Sequence, residues 1–192
     1  EKIISLDGKK RILDEEMCVV ADHEKAVGVA GIIGGENSEI NDKTTSIILE
    51  AATWNPSVLR RTSVKLGVRT EAVQRFEKSL DPNWGELAIK KAAELILKIC
   101  PTAKIAGPMT DVKKSMPKPL QITLSTEKAQ TKIGADISAK EMKTLLELLE
   151  FKVSPKGKKA FTVTVPSFRA TKDIHIEDDL IEEIARMHGY EN

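Results

Sequence analysis

The spacing of hydrophobic and polar positions predicts a series of short elements in the first half of the chain. Apolar residues at 17–21 and 26–30 flank a polar turn, which indicates a β-hairpin. A run rich in β-branched residues at 44–52 predicts a third strand. Asn55-Pro56 is typical of a helix start and Gly67 of a helix end, so a helix is predicted between them.

Less regular patterns follow this helix. Residues 69–79 are compatible with a strand or a helix. Asp81-Pro82 is a second start signal, and it opens an amphipathic helix that extends to about residue 100. Residues 103–112 favour one or two short strands. Three apolar residues of the amphipathic helix are predicted to face a core: Leu87, Ile96 and Ile99.

A change of composition separates the two halves of the chain. Residues 113–119 hold two prolines and three lysines, which is typical of a linker. We therefore predict two α+β domains, a mixed α/β portion at 1–113 and a small domain at 120–192, joined by 114–119.

The small domain is predicted to have the order strand, helix, helix, hairpin, helix. Ser125 and Ser138 are caps for its first two helices, the second in a capping box with Glu141. Gly134 and Gly189 are typical helix ends. This order favours a small α+β fold of winged-helix, DNA-binding-like type. The remaining predicted elements are a strand at 120–124, a hairpin at 151–153 and 161–165, and a helix at 176–188.

Composition places the chain among soluble globular proteins. Of its 192 residues, 41% are hydrophobic and 31% charged, and the formal net charge is +1. The longest uncharged apolar stretch, 26–35, is far shorter than the ~18 residues of a membrane span. Two distant cysteines form no metal-binding spacing and no disulfide framework, which fits a reducing cytoplasm. The chain begins at Glu1, so we expect a piece of a longer protein.

One stretch, residues 27–81, combines three features that indicate a pocket. Four glycines at 28, 31, 34 and 35 predict positive φ angles or close backbone approaches. Glu50 lies within an apolar run, where a carboxylate destabilises the fold unless it is paired, so that an unpaired one there indicates a function. Between residues 60 and 78, cationic side chains outnumber acidic ones, which suits a polyanionic ligand. These cations are Arg60, Arg61, Lys65, Arg69, Arg75 and Lys78.

A second group of charges lies near the C-terminus. Asp179, Glu182 and Glu183 are three or four residues apart, so a helix would place them on one face, with Asp173 just before it. Several carboxylates together suit a hard cation such as Mg²⁺. Spacing alone nevertheless favours a solvated acidic helix face.

Several short motifs resemble one family in their order and spacing. They are GGE at 34–36, ILEAA at 48–52, RRT at 60–62, LGVRTEA at 66–72, RFE at 75–77 and DP at 81–82. Together they resemble the tRNA-editing domain in the beta subunit of bacterial phenylalanyl-tRNA synthetase. The likeness continues through RATKDIHIEDDLIEEIARMHGY at 169–190, and so covers essentially the whole chain.

The resemblance implies an editing pocket that hydrolyses mischarged tyrosyl-tRNA(Phe). Glu50 and Thr70 fall on catalytic positions, and Gly34 and Ala72 fall on small substrate-binding positions. A carboxylate can accept the hydrogen bond of the tyrosine hydroxyl. It can thus recognise tyrosine in a second, hydrolytic site, which an enzyme needs when its phenylalanine site excludes tyrosine poorly. The family commonly reads RTDAS where residues 69–73 here read RTEAV. In this family, the editing domain has a preceding half that contributes a histidine and an asparagine to the site. This chain is therefore expected to be inactive by itself.

The same resemblance implies a metal, cofactors and partners. Asp173, Asp179, Glu182 and Glu183 fall on positions that bind Mg²⁺ near the alpha subunit. Aminoacylation would use ATP and Mg²⁺ in that subunit, within a cytoplasmic tetramer of two alpha and two beta chains that binds tRNA(Phe) without a membrane. The alternative is a non-catalytic module that binds tRNA or a protein.

Overall fold

The chain divides into two units at residues 114–115, and each unit has its own core. A computed structural model describes residues 1–113 and 116–191. Both units combine helices with small antiparallel sheets, which confirms the predicted α+β class. The predicted linker at 114–119 lies partly outside the described residues. The winged-helix character of the second unit stays a prediction.

A hairpin whose two strands the sequence patterns did not predict, although Asp7-Gly8 indicates its turn, begins the first unit. Strands β1 (Lys2–Ile4) and β2 (Lys10–Ile12) pair antiparallel, and Gly8 turns the chain between them with a φ of 73°. Arg11 of β2 is buried, and its guanidinium donates a hydrogen bond of 2.9 Å to the carbonyl oxygen of Leu66. This bond attaches the hairpin to the end of the first helix.

The predicted hairpin at 17–30 is confirmed and gains a short third strand. Strands β3 (Val19–Ala21), β4 (Ala26–Val29) and β5 (Ile33–Gly34) form an antiparallel sheet in the order β3-β4-β5. Gly31 makes the turn between β4 and β5 with a φ of 65°. The glycine-rich motif therefore spans the central strand β4, the turn at Gly31 and the edge strand β5.

The strands predicted at 44–52 and 103–112 are wrong, because both segments are irregular in the structure. The first is also solvent-exposed, with Ile48 fully so. A strand depends on a hydrogen-bonding neighbour, which the described residues do not offer to either segment.

Helix α1 (Pro56–Leu66) confirms the cap prediction in detail. The Asn55 side chain accepts hydrogen bonds from the backbone of Ser57 and Val58, and Gly67 ends the helix with a φ of 63°. The ambiguous segment 69–79 contains helix α2 (Glu71–Phe76).

Helix α3 (Gly85–Ile99) is present as predicted, after a short 3-10 turn at Pro82–Trp84, but it contributes no buried residue. Leu87 is 62% exposed and Ile99 is 76% exposed, while Ile96 is half-buried. The prediction that these residues face a core is therefore wrong. The 3.6-residue period identifies an apolar face, but it does not provide a surface against which that face packs.

Local signals predicted the second unit well. Strands β6 (Gln121–Ser125), β7 (Lys152–Pro155) and β8 (Ala160–Thr164) form an antiparallel sheet in the order β6-β8-β7. The Ser125 and Ser138 side chains accept the cap hydrogen bonds, as predicted. Helices α4 (Thr126–Ile133), α5 (Ala139–Leu148) and α6 (Glu177–His188) pack with this sheet around one core. Its fully buried residues include Leu124, Met142, Leu146, Val163, Leu180 and Ile184.

Candidate functional site

The glycine-rich motif packs against other parts of the first unit, as its composition predicted. A Cβ at Gly31 would lie 2.7 Å from side-chain atoms of both Trp54 and Leu59. A Cβ at Gly35 would lie 2.7 Å from the carbonyl oxygen of Val27. Real Cβ contacts are not this short, so both positions require glycine. The motif therefore brings the β4–β5 turn against the segment that leads into α1.

Thr70 connects α2 to this turn. Its hydroxyl donates a hydrogen bond of 2.7 Å to the carbonyl oxygen of Ile32 and accepts one of 3.3 Å from the Val73 amide. Gly34 lies two residues beyond Ile32, where a Cβ would be 3.0 Å from the Leu6 side chain. The structure thus brings Thr70 beside the strand that carries Gly34.

Ala72 and Thr70 are both half-buried at the start of α2. The Thr70 hydroxyl has already used its single proton on Ile32, so it can offer a further ligand only an oxygen lone pair. Thr70 therefore cannot donate a hydrogen bond to a bound ester while the Ile32 bond persists. In this arrangement its contribution is to hold the start of α2.

Glu50 lies apart from this group. It is exposed on the irregular segment, and among the described residues nothing forms a hydrogen bond or ion pair with its carboxylate. Its apolar neighbours Ile47 and Leu49 are 50% and 38% exposed. The apolar run around Glu50 is therefore not the buried environment that its composition had indicated, and the structure does not bring Glu50 against Gly34 or Thr70. Its functional role stays a prediction.

Half of the six predicted cations are engaged in ion pairs within the first unit. Lys65 pairs with Asp14, Arg75 pairs with Glu71 at 3.4 Å, and Arg69 pairs with Glu77 at 2.8 Å. The hydrogen bond from Arg69 lowers the pKa of Glu77, although partial burial opposes this effect. The remaining three cations, Arg60, Arg61 and Lys78, are exposed. The positive charges of Arg60 and Lys78 also help to lower the pKa of Glu77.

In the second unit, the predicted metal ligand Glu183 is bound by two arginines. It is only 7% exposed, and its carboxylate lies 3.1 Å from a guanidinium nitrogen of Arg169 and 2.7 Å from one of Arg186. Burial would raise the pKa of Glu183, but hydrogen bonds from Arg186 and Arg169 outweigh it and lower that pKa. Arg169 also pairs with Asp173.

The other two predicted ligands have different environments. Asp179 caps α6 by accepting hydrogen bonds from the backbone amides of His175 and Ile176, at 2.7 and 2.9 Å, which lower its pKa. Glu182 is exposed. The prediction that Asp179, Glu182 and Glu183 form one exposed face is wrong, since Glu183 turns toward the buried side of α6.

These carboxylates do not fit a magnesium ion as they are arranged. Throughout residues 1–113 and 116–191, no group of three His, Cys, Asp or Glu side chains could hold a metal ion. Sequence patterns missed Arg169 and Arg186 as the partners of the acidic group. The available signals were the i,i+4 spacing of Arg169 and Asp173 and the i,i+3 spacing of Glu183 and Arg186.

Comparison with known families gives the first unit an identity. Residues 1–101 match the family model described as the B3/4 domain, which covers more than half of the chain. The chain belongs to the B3/4 domain family. Residues 122–190 match a second model, the tRNA synthetase B5 domain. The B3/4 match thus covers the Gly34–Thr70 region, and the B5 match covers Arg169 and the acidic residues.

Relatives are similar along the whole chain. Phenylalanine–tRNA ligase beta subunits are 46% identical in Carboxydothermus hydrogenoformans, 41% in Solibacter usitatus and 40% in Geobacter metallireducens. Each alignment covers 100% of this chain but only 24% or 25% of the relative. This chain therefore spans about a quarter of the length of these relatives. Among the described residues, no helix is both long enough and apolar enough to cross a membrane.

Proposed function

We propose that the chain forms part of the beta subunit of a phenylalanine–tRNA ligase and contributes to hydrolytic editing of tyrosyl-tRNA(Phe). The observation that carries this proposal is the 38–46% sequence identity to phenylalanine–tRNA ligase beta subunits over nearly all of the chain, with B3/4 and B5 matches in succession. We also propose that residues 1–113 and 120–192 act as separate domains joined by 114–119.

The chemistry of editing supports the choice of residues. Phenylalanine and tyrosine differ by one hydroxyl, which a pocket for the phenylalanine ring excludes poorly, so a second hydrolytic site improves accuracy. Gly34 and Ala72 leave room for the ring, and Glu50 accepts the hydrogen bond of the phenol. Thr70 holds the pocket wall through its bond to Ile32. Water is the nucleophile, and electrostatic stabilisation of the tetrahedral intermediate lowers the barrier.

This assignment requires the irregular segment around Glu50 to change its conformation. Its exposed apolar residues, Ile47 and Ile48 among them, provide the surface that would pack when this happens. We propose that this rearrangement brings Glu50 toward the strand of Gly34. The chain by itself then has an incomplete pocket and no editing activity.

The partners and cofactors of the proposal are those of the whole synthetase. They are an alpha subunit in a tetramer of two alpha and two beta chains, tRNA(Phe), ATP and Mg²⁺. Aminoacylation is assigned to the alpha subunit. The magnesium site at Asp173, Asp179, Glu182 and Glu183 stays a prediction, as does the cytoplasmic location.

The decisive experiment measures tyrosyl-tRNA(Phe) hydrolysis by the complete beta subunit assembled with its alpha subunit. Glu50→Ala leaves the phenol without an acceptor, which costs ~1–3 kcal/mol and lowers the rate roughly ten- to a hundredfold. Phenylalanine charging is expected to remain unchanged, because it occurs in the other subunit. The matched control is Glu39→Ala, since Glu39 is also an exposed carboxylate outside helices and strands. Equal hydrolysis by Glu50→Ala and the control would contradict the role of Glu50.

One observation favours a second candidate function, a non-catalytic module that binds tRNA or a protein. Glu50 is exposed, while Arg60 and Arg61 project from α1 into solvent, where cations can contact phosphates. For this candidate, a double Arg60→Gln, Arg61→Gln variant would weaken tRNA binding while Glu50→Ala changed neither binding nor hydrolysis.

A further inference from the structure

Arg169 lies between two of the four predicted magnesium ligands. Its Nε donates a hydrogen bond to Asp173, and its two terminal nitrogens approach the two oxygens of Glu183 at 3.2 and 3.1 Å. Asp173 is in the turn before α6, whereas Glu183 is in the middle of that helix. All three guanidinium nitrogens thus contact a carboxylate, a fork geometry that a guanidinium can form and a lysine ammonium cannot.

The rest of the Arg169 residue is also held in place. The guanidinium carbon lies 5.8 Å from the centre of the Phe151 ring, within cation–π range. The Arg169 amide donates to the carbonyl oxygen of Pro166 at 2.9 Å, and its own carbonyl oxygen accepts from the Ile174 amide at 3.0 Å. The side chain is 20% exposed. Its position is therefore determined by both the turn and the core.

A buried carboxylate needs a cation close to it. Glu183 is almost completely removed from water, and an unpaired charge there would strongly destabilise the fold. Mg²⁺ would need oxygen ligands in near-octahedral geometry around the same carboxylate. A guanidinium that already contacts both Glu183 oxygens would lie a few ångströms from such an ion and repel it.

We propose that Arg169 is the resident cation of Asp173 and Glu183, and that it must withdraw before a divalent ion can bind these carboxylates. Arg169 is a positioning residue, because it acts through the two acids and holds the turn against α6. This role does not depend on the proposed editing function. It implies that magnesium binding at the acidic group is conditional on a rearrangement around Arg169.

Arg186 provides a matched control within the same cluster. It also donates to Glu183, at 2.7 Å, but it lies one helical turn further along α6 and has no bond to Asp173. Arg186→Gln therefore removes one positive charge from Glu183 while leaving the Asp173–Arg169–Glu183 bridge in place. Loss of Arg169 opens the space between the two acids, whereas loss of Arg186 does not.

The test measures Mg²⁺ affinity and melting temperature for the 192-residue chain and its variants, with potassium chloride used to keep ionic strength constant. For Arg169→Gln we expect a lower melting temperature without magnesium, which rises again as Mg²⁺ is added. Its Mg²⁺ affinity should exceed that of the wild-type chain roughly tenfold or more, because the unit charge that lies between Asp173 and Glu183, where the ion would bind, has been removed. Arg186→Gln should lose stability without this gain in affinity.

Arg169→Lys separates charge from geometry. Lysine keeps the positive charge but cannot bridge both acids, so we expect reduced stability with wild-type Mg²⁺ affinity. The proposal is overturned if the wild-type chain binds Mg²⁺ as tightly as Arg169→Gln, or if Arg169→Lys gains as much affinity as Arg169→Gln.

A measurement on the wild-type chain covers the case in which Arg169→Gln fails to fold. Mn²⁺ broadens the NMR signals of nuclei near its binding site and serves as a probe for hard cations. We expect the amide signals of residues 173 and 183 to broaden no more than those of exposed acids elsewhere, such as Glu147. Selective broadening at residues 173 and 183 would overturn the proposal.

Discussion

Gly31 lies so close to Trp54 that a side-chain carbon added to the glycine would be 2.7 Å from the indole Cδ1. The same added carbon would be 2.7 Å from Cδ2 of Leu59, in the first turns of α1. Gly31 has a φ of 65°, a left-handed conformation that other residues adopt at a cost. The turn between β4 and β5 therefore needs glycine both for its backbone conformation and for its contact with α1.

Gly67 allows these two requirements to be separated. Its φ of 63° matches that of Gly31, but an added side-chain carbon would meet no atom within 4 Å. We expect Gly67→Ala to cost roughly 1–2 kcal/mol from backbone strain. Gly31→Ala should lower the free energy of unfolding by about 1–3 kcal/mol more, because it also overpacks the contact with Trp54. Urea denaturation of both variants measures the difference, and equal losses would show that the Trp54 contact is unimportant.

The hydroxyl of Thr70 supports α2 and the β4–β5 turn at once. Thr70→Val has a similar shape but leaves the Ile32 carbonyl and the Val73 amide without this partner. We expect a loss of about 1–3 kcal/mol in the free energy of unfolding, measured in urea. Thr70→Ser retains the hydroxyl and should lose much less. If the two variants unfold at the same denaturant concentration, the hydrogen bonds of Thr70 do not contribute to stability.

Elements with local start and end signals could be predicted from the sequence. Asn55 and Gly67 bound α1 as expected because capping depends on residues within one helical turn. The segment around Ile48 did not form the predicted strand because a strand depends on a neighbour that local sequence does not specify. The same reason explains Leu87, whose helix formed as predicted while its apolar face remained exposed.

In the candidate sites, too, contacts between residues close in sequence could be predicted, whereas contacts between distant residues could not. Arg169 and Asp173 are four residues apart, so their pairing could have been inferred from spacing. Glu183 is fourteen residues from Arg169, and only the fold shows that it completes the bridge. Helical spacing also assigned Glu183 to an exposed face, although in the fold it packs beside the buried residues Leu180 and Ile184. Rotation of a helix about its axis depends on packing with its neighbours, which the acidic spacing did not reveal.

Two leucines of α5 test the assignment of the second core. Leu146 is fully buried, whereas Leu148 is 68% exposed on the same helix. Leu146→Ala should lower the free energy of unfolding by about 2–5 kcal/mol, because it removes buried apolar surface and leaves a cavity. Leu148→Ala should change it by less than about 0.5 kcal/mol, as surface substitutions usually do. Similar losses in the two variants, measured by urea denaturation, would contradict the orientation of α5.

Glu177 connects the start of α6 to the junction of β6 and α4. Its carboxylate accepts a hydrogen bond of 2.7 Å from the Ser125 amide and one of 2.6 Å from Lys128 Nζ. Burial would raise the pKa of Glu177, but these two hydrogen bonds outweigh it and lower that pKa. The folded chain therefore binds a proton at Glu177 less readily than the unfolded chain does.

This shift predicts the direction of a pH effect. A carboxyl group whose pKa is lower in the folded chain contributes stability above the unfolded-state value, which is about 4.3 for glutamate. The contribution is lost as the pH falls through the folded-state pKa. Glu177→Gln, which cannot form the ion pair with Lys128, should thus be less stable than wild type at pH 7, and the difference should shrink under acid conditions. Glu147→Gln, at an exposed position on α5, serves as the control and should show little difference at either pH. A difference between wild type and Glu177→Gln that stays constant from neutral to acid pH, measured by urea denaturation, would show that proton binding at Glu177 is not linked to folding.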